Sequence, residues 1–211
     1  MKWPLRFHTP NEATLLFILT MLWQTDFAQT AHATLLETVT RSNLAPMPEY
    51  FDRYINRVDD VSLKDAFTIS IQQLDYLDLK KMEAIGSKVY APGKWTVKDI
   101  LQHIIDAERI LDYRVLRFAR NDTTAAPDFD QDEIALNAKT STRSLSELLA
   151  ELKAVRQSTI ALFYSFDDAV LQRQGTNWKY KVSVLGMGFM IIGHQKHHLY
   201  MIGERYFPLV K

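Results

Sequence analysis

From Val182 to Tyr206 the sequence is apolar around most of a helical circumference. At 100° per residue Leu185, Phe189, Ile192 and Leu199 fall on one side, and Met187, Met190, Ile191, Met201 and Ile202 on the other. Such a helix either runs through the centre of a bundle or buries its second face against another subunit. Gly186, Gly188, Gly193 and Gly203 weaken its helix propensity and allow close backbone approach. Pro208 sets its end.

Three further amphipathic stretches can surround it. Ser62-Leu63-Lys64-Asp65 reads as an N-cap with an acid three residues on, and Leu63, Phe67, Ile71, Leu74 and Leu77 continue at helical spacing to about Ile85, before Gly86. Thr96 and Asp99 open a second helix to about Arg120, with a stripe through Ile100, Leu101, Ile104, Leu111, Val115 and Phe118. Residues 121–132 read as a loop, 133–139 as a short helical turn, and Ser144 with Glu147 as a second capping box. The third helix carries Leu145, Leu148, Leu149, Leu152, Val155, Leu162 and Phe163. One more turn is expected over 167–172, and Gly175-Thr176-Asn177 breaks the pattern. Four long helices with short or moderate links make an all-α four-helix bundle.

The first 46 residues differ in character, so the domain is expected over 47–208 with an N-terminal extension over 1–46. Lys2 and Arg6 precede an apolar run, Ala13 to Trp23, too short for a bilayer crossing of about 20 residues. Three readings stay open: a signal-like segment with Ala31-His32-Ala33 as its cleavage site, translation starting at Met47, or an extra amphipathic helix. Export is expected only under the first, with 1–33 removed, and a cytoplasmic location otherwise. After Met47, Pro48 to Tyr54 lays aromatic side chains on the domain.

Composition narrows the chemistry. Lys+Arg and Asp+Glu are equal at 25 each, with no basic run, which argues against nucleic acid as partner. The absence of cysteine excludes disulfides, thiolate ligands and a Cys nucleophile. No phosphate loop, nucleophile elbow or His-Glu-x-x-His motif occurs.

The histidines remain. His194 and His198 are four apart, one helical turn on one face, and could converge on a single divalent cation. His103, among apolar residues of the second helix, is the candidate third ligand. Three imidazoles leave a coordination position free, the layout of a reactive metal. His197 points about 100° away from His198 and is not counted as a ligand. Glu108 sits near the centre of an apolar stripe and must be paired, protonated or bound to a cation. It is a candidate general base, a carboxylate orienting a ligand His, or half of a structural pair with Arg205 or Arg156. Met187, Met190, Tyr113 and Ile191 would suit a partly apolar small-molecule substrate.

Trp95-Thr96-Val97-Lys98-Asp99-Ile100-Leu101-Gln102-His103 through Glu108, with Gly193-His194-Gln195-Lys196-His197-His198 far downstream, resembles the DinB-like superfamily and its YfiT-type metalloenzymes. The resemblance covers about Met47 to Pro208. It implies an up-down-down-up bundle with His103, His194 and His198 on a divalent metal such as zinc or nickel. It also implies frequent homodimers, and thiol-dependent transfer or isomerisation using a low-molecular-weight thiol; a hydrolase would share the same open metal site. Two readings follow: a metal-dependent enzyme, or a non-catalytic metal- or ligand-binding dimeric bundle in which Glu108 closes the site.

Overall fold

A computed structural model describes residues 36–210. The expected bundle is present, and its four long helices start where their caps say they should. Helix α2 (Leu63–Asp75) begins at Ser62, whose hydroxyl accepts from the Asp65 N–H at 3.0 Å. α4 (Val97–Ala119) and α6 (Leu145–Tyr164) each open with a complete capping box, Thr96 with Asp99 and Ser144 with Glu147. α8 (Val184–Met201) is capped by Ser183 and passes into a π-helical turn over Ile202–Tyr206.

Shorter pieces join them: α1 (Asp52–Ile55), α3 (Leu79–Ile85), α5 (Gln131–Asn137) and α7 (Asp168–Leu171). The helix expected to run unbroken from Leu63 to Ile85 is two helices. Asp78 takes the Lys81 N–H on its carboxylate and caps α3, so the backbone turns between Asp75 and Leu79. Gly86 ends α3 at φ +59°, a conformation other residues resist. The break at Gly175 is an antiparallel hairpin, β1 (Gln174–Asn177) with β2 (Tyr180–Ser183), turning at Trp178 with φ +54°.

Side-chain pairs give the helix directions. Leu63 lies beside Gly188 and the Ser70 carbonyl accepts from Gln195, so α2 and α8 run parallel. Asp75 meets Lys153, Ser70 meets Arg156 and Phe67 packs on Phe163, so α6 opposes α2. Gln102 accepts from Arg143 just ahead of α6, and Asp112 meets Thr159 further along, so α4 and α6 are parallel. The order is up-down-down-up. Two consecutive long helices running the same way require a return across the bundle, which residues 120–144 provide.

The core has two apolar halves. One gathers Phe67, Val115, Phe163, Leu185 and Phe189; the other Leu74, Leu101, Ile104, Leu148 and Tyr206. Between them every long helix contributes polar groups to one buried layer: Ser70, His103 and Glu108, Arg156 and Thr159, and Gln195. The apolar circumference of α8 is satisfied within the chain. Residues 184–193 are buried, and α1 covers the side the other long helices leave. Of the two arrangements open to such a helix, the central one is found.

Residues ahead of Met47 join the same core. Leu36 is fully buried, and the Val39 carbonyl accepts from the Leu63 N–H at the start of α2. The signal-like segment and its cleavage site lie outside the described residues. Among the described residues no helix is long and apolar enough to cross a membrane.

Candidate metal centre

Four features set the positions of α4 and α8 at the polar layer. The Thr96 capping box fixes where α4 begins, and so the height of His103. The Tyr206 hydroxyl donates to the Trp95 carbonyl, tying the end of α8 to the start of α4. Gln195 donates to the Ser70 carbonyl at 2.8 Å, anchoring α8 to α2. Gly193 lies so close to α1 that a Cβ there would overlap the Tyr54 carbonyl group. Rings complete the setting: Trp95 lies 4.7 Å from His103, and Tyr54 meets His194 edge-on at 5.3 Å.

The structure brings His103 of α4 together with His194 and His198 of α8. Their donor nitrogens all lie within 4.8 Å of one another. His194 Nε2 is 3.2 Å from His103 Nε2 and 3.1 Å from His198 Nε2. An imidazole nitrogen carries either one N–H or one lone pair. His194 Nε2 therefore can make a hydrogen bond to one neighbour but not to both. A cation satisfies all three lone pairs at once. Tetrahedral zinc with Zn–N near 2.0–2.1 Å would place its nitrogens about 3.3 Å apart, close to the two separations seen from His194 Nε2.

Electrostatics agree. Burial, with His197 beside it, holds the His103 imidazole down at about 4, and burial, with His103 and then His197, holds His198 at about 3. His194 is held well below its ordinary value, first by burial and then by the neighbouring rings and Arg156. Neutral rings keep their lone pairs for a metal. Among the described residues no Asp or Glu joins the group. His197 stands outside it, against Tyr54 at 5.4 Å, with a buried Nδ1 that has no hydrogen-bond partner among the described residues.

Glu108 is the other half of a structural pair. Its two oxygens take Arg156 Nε and Nη2 at 2.7 and 2.9 Å, and Thr159 donates to it at 2.7 Å. Arg205, the alternative partner, is exposed. The carboxylate proposed as general base is thus committed to Arg156 and lies outside the histidine group.

Sequence reasoning passed over Asp112, one turn further along α4. Thr159 Oγ1 lies 2.7 Å from Glu108, 2.8 Å from Asp112 and 3.1 Å from the Val155 carbonyl, yet a hydroxyl has one proton. One carboxyl must supply a second proton, and the arginine-paired Glu108 is the poorer choice. Burial pushes Asp112 up to about 7, and the Glu108 charge adds to this. A carboxyl with a raised folded-state value contributes fully below its unfolded value, near 3.8, and loses that contribution as pH rises through about 7. Asp112→Asn keeps a donor for Thr159 without the charge. Its stability relative to wild type should improve between pH 5 and 8, by on the order of a few kcal/mol. Paired urea unfolding curves across that range check this, and a flat difference refutes it.

Two cavities border the cluster. One, of about 260 Å³, is lined by His103 and His194 together with Tyr50, Tyr54, Trp178 and Arg114. The other, of about 340 Å³, reaches His198 past Tyr90, Lys94, Trp95 and Asp132. The expected apolar lining is only partly present. Met190 lines the first cavity, whereas Met187 is fully buried in the core and Tyr113 is exposed outside it. The walls come largely from α1, the hairpin turn and the crossover, and the aromatic lead-in before Tyr54 was their one legible signal.

Residues 24–202 match the DinB superfamily. The chain belongs to that superfamily. It is 22% identical over 114 residues to a protein of Oceanobacillus iheyensis named "Putative metal-dependent hydrolase". That match covers 54% of this chain and 65% of the relative, so the chain spans less than two thirds of that protein. Its fold is similar to that of YfiT from Bacillus subtilis, with a TM-score of 0.59 and 19% identity over 82% of this chain and 94% of the other. YfiT is described as "a probable metal-dependent hydrolase with an unusual four-helix bundle topology". The likeness between the two is one of fold.

Proposed function

We propose that this DinB protein is a metal-dependent enzyme in which His103, His194 and His198 hold one divalent cation, zinc or nickel. The observation that carries the proposal is the meeting of three neutral imidazole nitrogens whose separations a hydrogen-bond network cannot satisfy. A cation held there by three neutral ligands would lower the pKa of a water or thiol in its open position towards neutrality.

The protein's own residues do the rest. Tyr54 and Trp95 hold the rings of His194 and His103 by an edge-on and a tilted contact respectively. Arg156 neutralises Glu108, so Glu108 is not available as a fourth ligand, which supports the open site over the closed, non-catalytic one. The first cavity positions a small substrate beside His103 and His194.

Hydrolysis needs only water as the second reactant, which asks for little space. The separate cavity on the His198 side favours a bulkier second reactant, such as a low-molecular-weight thiol, and so transfer over hydrolysis. The expected homodimer stands as a proposal resting on family resemblance, since α8 is covered within one chain.

Metal content tests the reading. Protein purified without a histidine tag should carry about one divalent ion per chain, and His103→Ala and His198→Ala should each lose most of it, since fewer ligands bind more weakly. Failure of the wild type to take up zinc or nickel overturns the proposal.

A further inference from the structure

We propose that the cavity on the His103–His194 side takes a small molecule with a flat apolar body and an anionic group, and that Arg53 reads the anion at its mouth with Arg114 behind it. This names the substrate class of the enzyme read above and rests on that reading for its catalytic meaning, though not for binding.

Charge is the first ground. Apart from the histidines, the charged side chains lining the cavity are Arg53, Arg114 and Asp128. Arg114 is buried and partly spent: it donates to Asn177 and to the Pro127 carbonyl, and Asp128 lies 3.7 Å away. Two cations against one carboxylate leave the cavity at net +1 before any metal is counted. Arg53 is the unspent charge. It forms no ion pair among the described residues, although it is exposed beside this cavity. Its guanidinium lies 3.7 Å over the Tyr50 ring and 4.9 Å from that of Tyr54. A stacked guanidinium keeps its in-plane N–H groups free for a carboxylate or similar anion.

Shape is the second ground. Tyr50 packs against Trp178 at 4.9 Å to give the cavity an aromatic wall, which Tyr180 backs by stacking on Tyr50 at 5.4 Å with planes 7° apart. Phe129 faces it from the crossover, within reach of Arg114. Flat faces of this kind reward a flat apolar partner. At about 260 Å³ the space falls below the roughly 300–1,000 Å³ typical of drug-sized ligands, so the molecule is small.

Calorimetric titration of the full-length protein with 2-naphthoate and its neutral analogue 2-naphthamide tests this. Titrations near pH 8, where the histidines are uncharged, would be run first on metal-free protein and then with zinc added. Metal-free protein should bind the carboxylate about tenfold more tightly than the amide. Arg53→Gln should erase most of that preference with the amide unaffected, and Arg53→Lys should keep part of it. Equal affinity for the two compounds, no detectable binding of 2-naphthoate, or a preference untouched in Arg53→Gln overturns the inference. The two readings fail separately. A preference present in protein that takes up no zinc sinks the metal site alone, and zinc retention without the preference sinks the anion site alone.

Discussion

Replacing Arg156 with methionine is expected to destabilise the protein by about 3–5 kcal/mol, because it leaves Glu108 as an uncompensated charge deep in the bundle. Arg156 and Glu108 side chains are 0% and 2% exposed, so water cannot take over. Arg156 also donates to Ser70 on α2, and its loss frees an α2 hydroxyl as well as an α4 carboxylate. The size of the effect belongs to the orphaned partner more than to the pair. Arg156→Met combined with Glu108→Leu should therefore recover most of the loss, as buried ion pairs are often no more stabilising than apolar packing. Urea midpoints of the two single variants and the double variant form the cycle. A single-variant loss below about 1 kcal/mol would show that the pair is hydrated.

Gly193→Ala should be nearly as damaging through sterics alone. The added Cβ would collide with the backbone carbonyl of Tyr54, which has no rotamer to escape into. Either α1 or α8 must shift, at about 3 kcal/mol. His194 is the next residue, so the shift would also disturb the histidine geometry. Thermal melts together with zinc content read both effects, and a stable, zinc-replete variant contradicts the contact. Gly203→Ala is the control. Nothing lies within 4 Å of its Cβ position, and alanine's better helix propensity leaves it neutral or slightly stabilised.

The parts of this protein that local rules govern were legible in its sequence. Ser62, Thr96 and Ser144 announced three helix starts because capping is a contact between residues three apart. His194 and His198 were readable for the same reason, and His103 added itself through its apolar neighbours. Asp78 was missed as a cap because Leu77 and Leu79 beside it keep the apolar rhythm going. What depends on distant pairing was not legible. Glu108 had two possible arginine partners, and only the packing of α6 on α4 selects Arg156. Arg53, Arg114 and Asn177 carry no periodic signal, and they meet only when α1, α4 and the hairpin are assembled. The hairpin lacks the usual Asn-Gly or Asp-Gly turn, using Trp178-Lys179 instead, which hid it.

The return between α4 and α6 has a consequence for how this scaffold could change. Asp128, Phe129 and Gln131 of that segment border the first cavity, while Gln131 and Asp132 border the second. The three histidines come from α4 and α8, which the segment does not interrupt. Lengthening a connection costs little, about 0.6 kcal/mol for each doubling of a flexible loop. Part of each cavity's lining is therefore held by a stretch of chain separate from the one that holds the histidines. Exchanging residues 128–132 should alter what the cavities accept, beside the unchanged Arg53 and Arg114, while the three histidines keep their places.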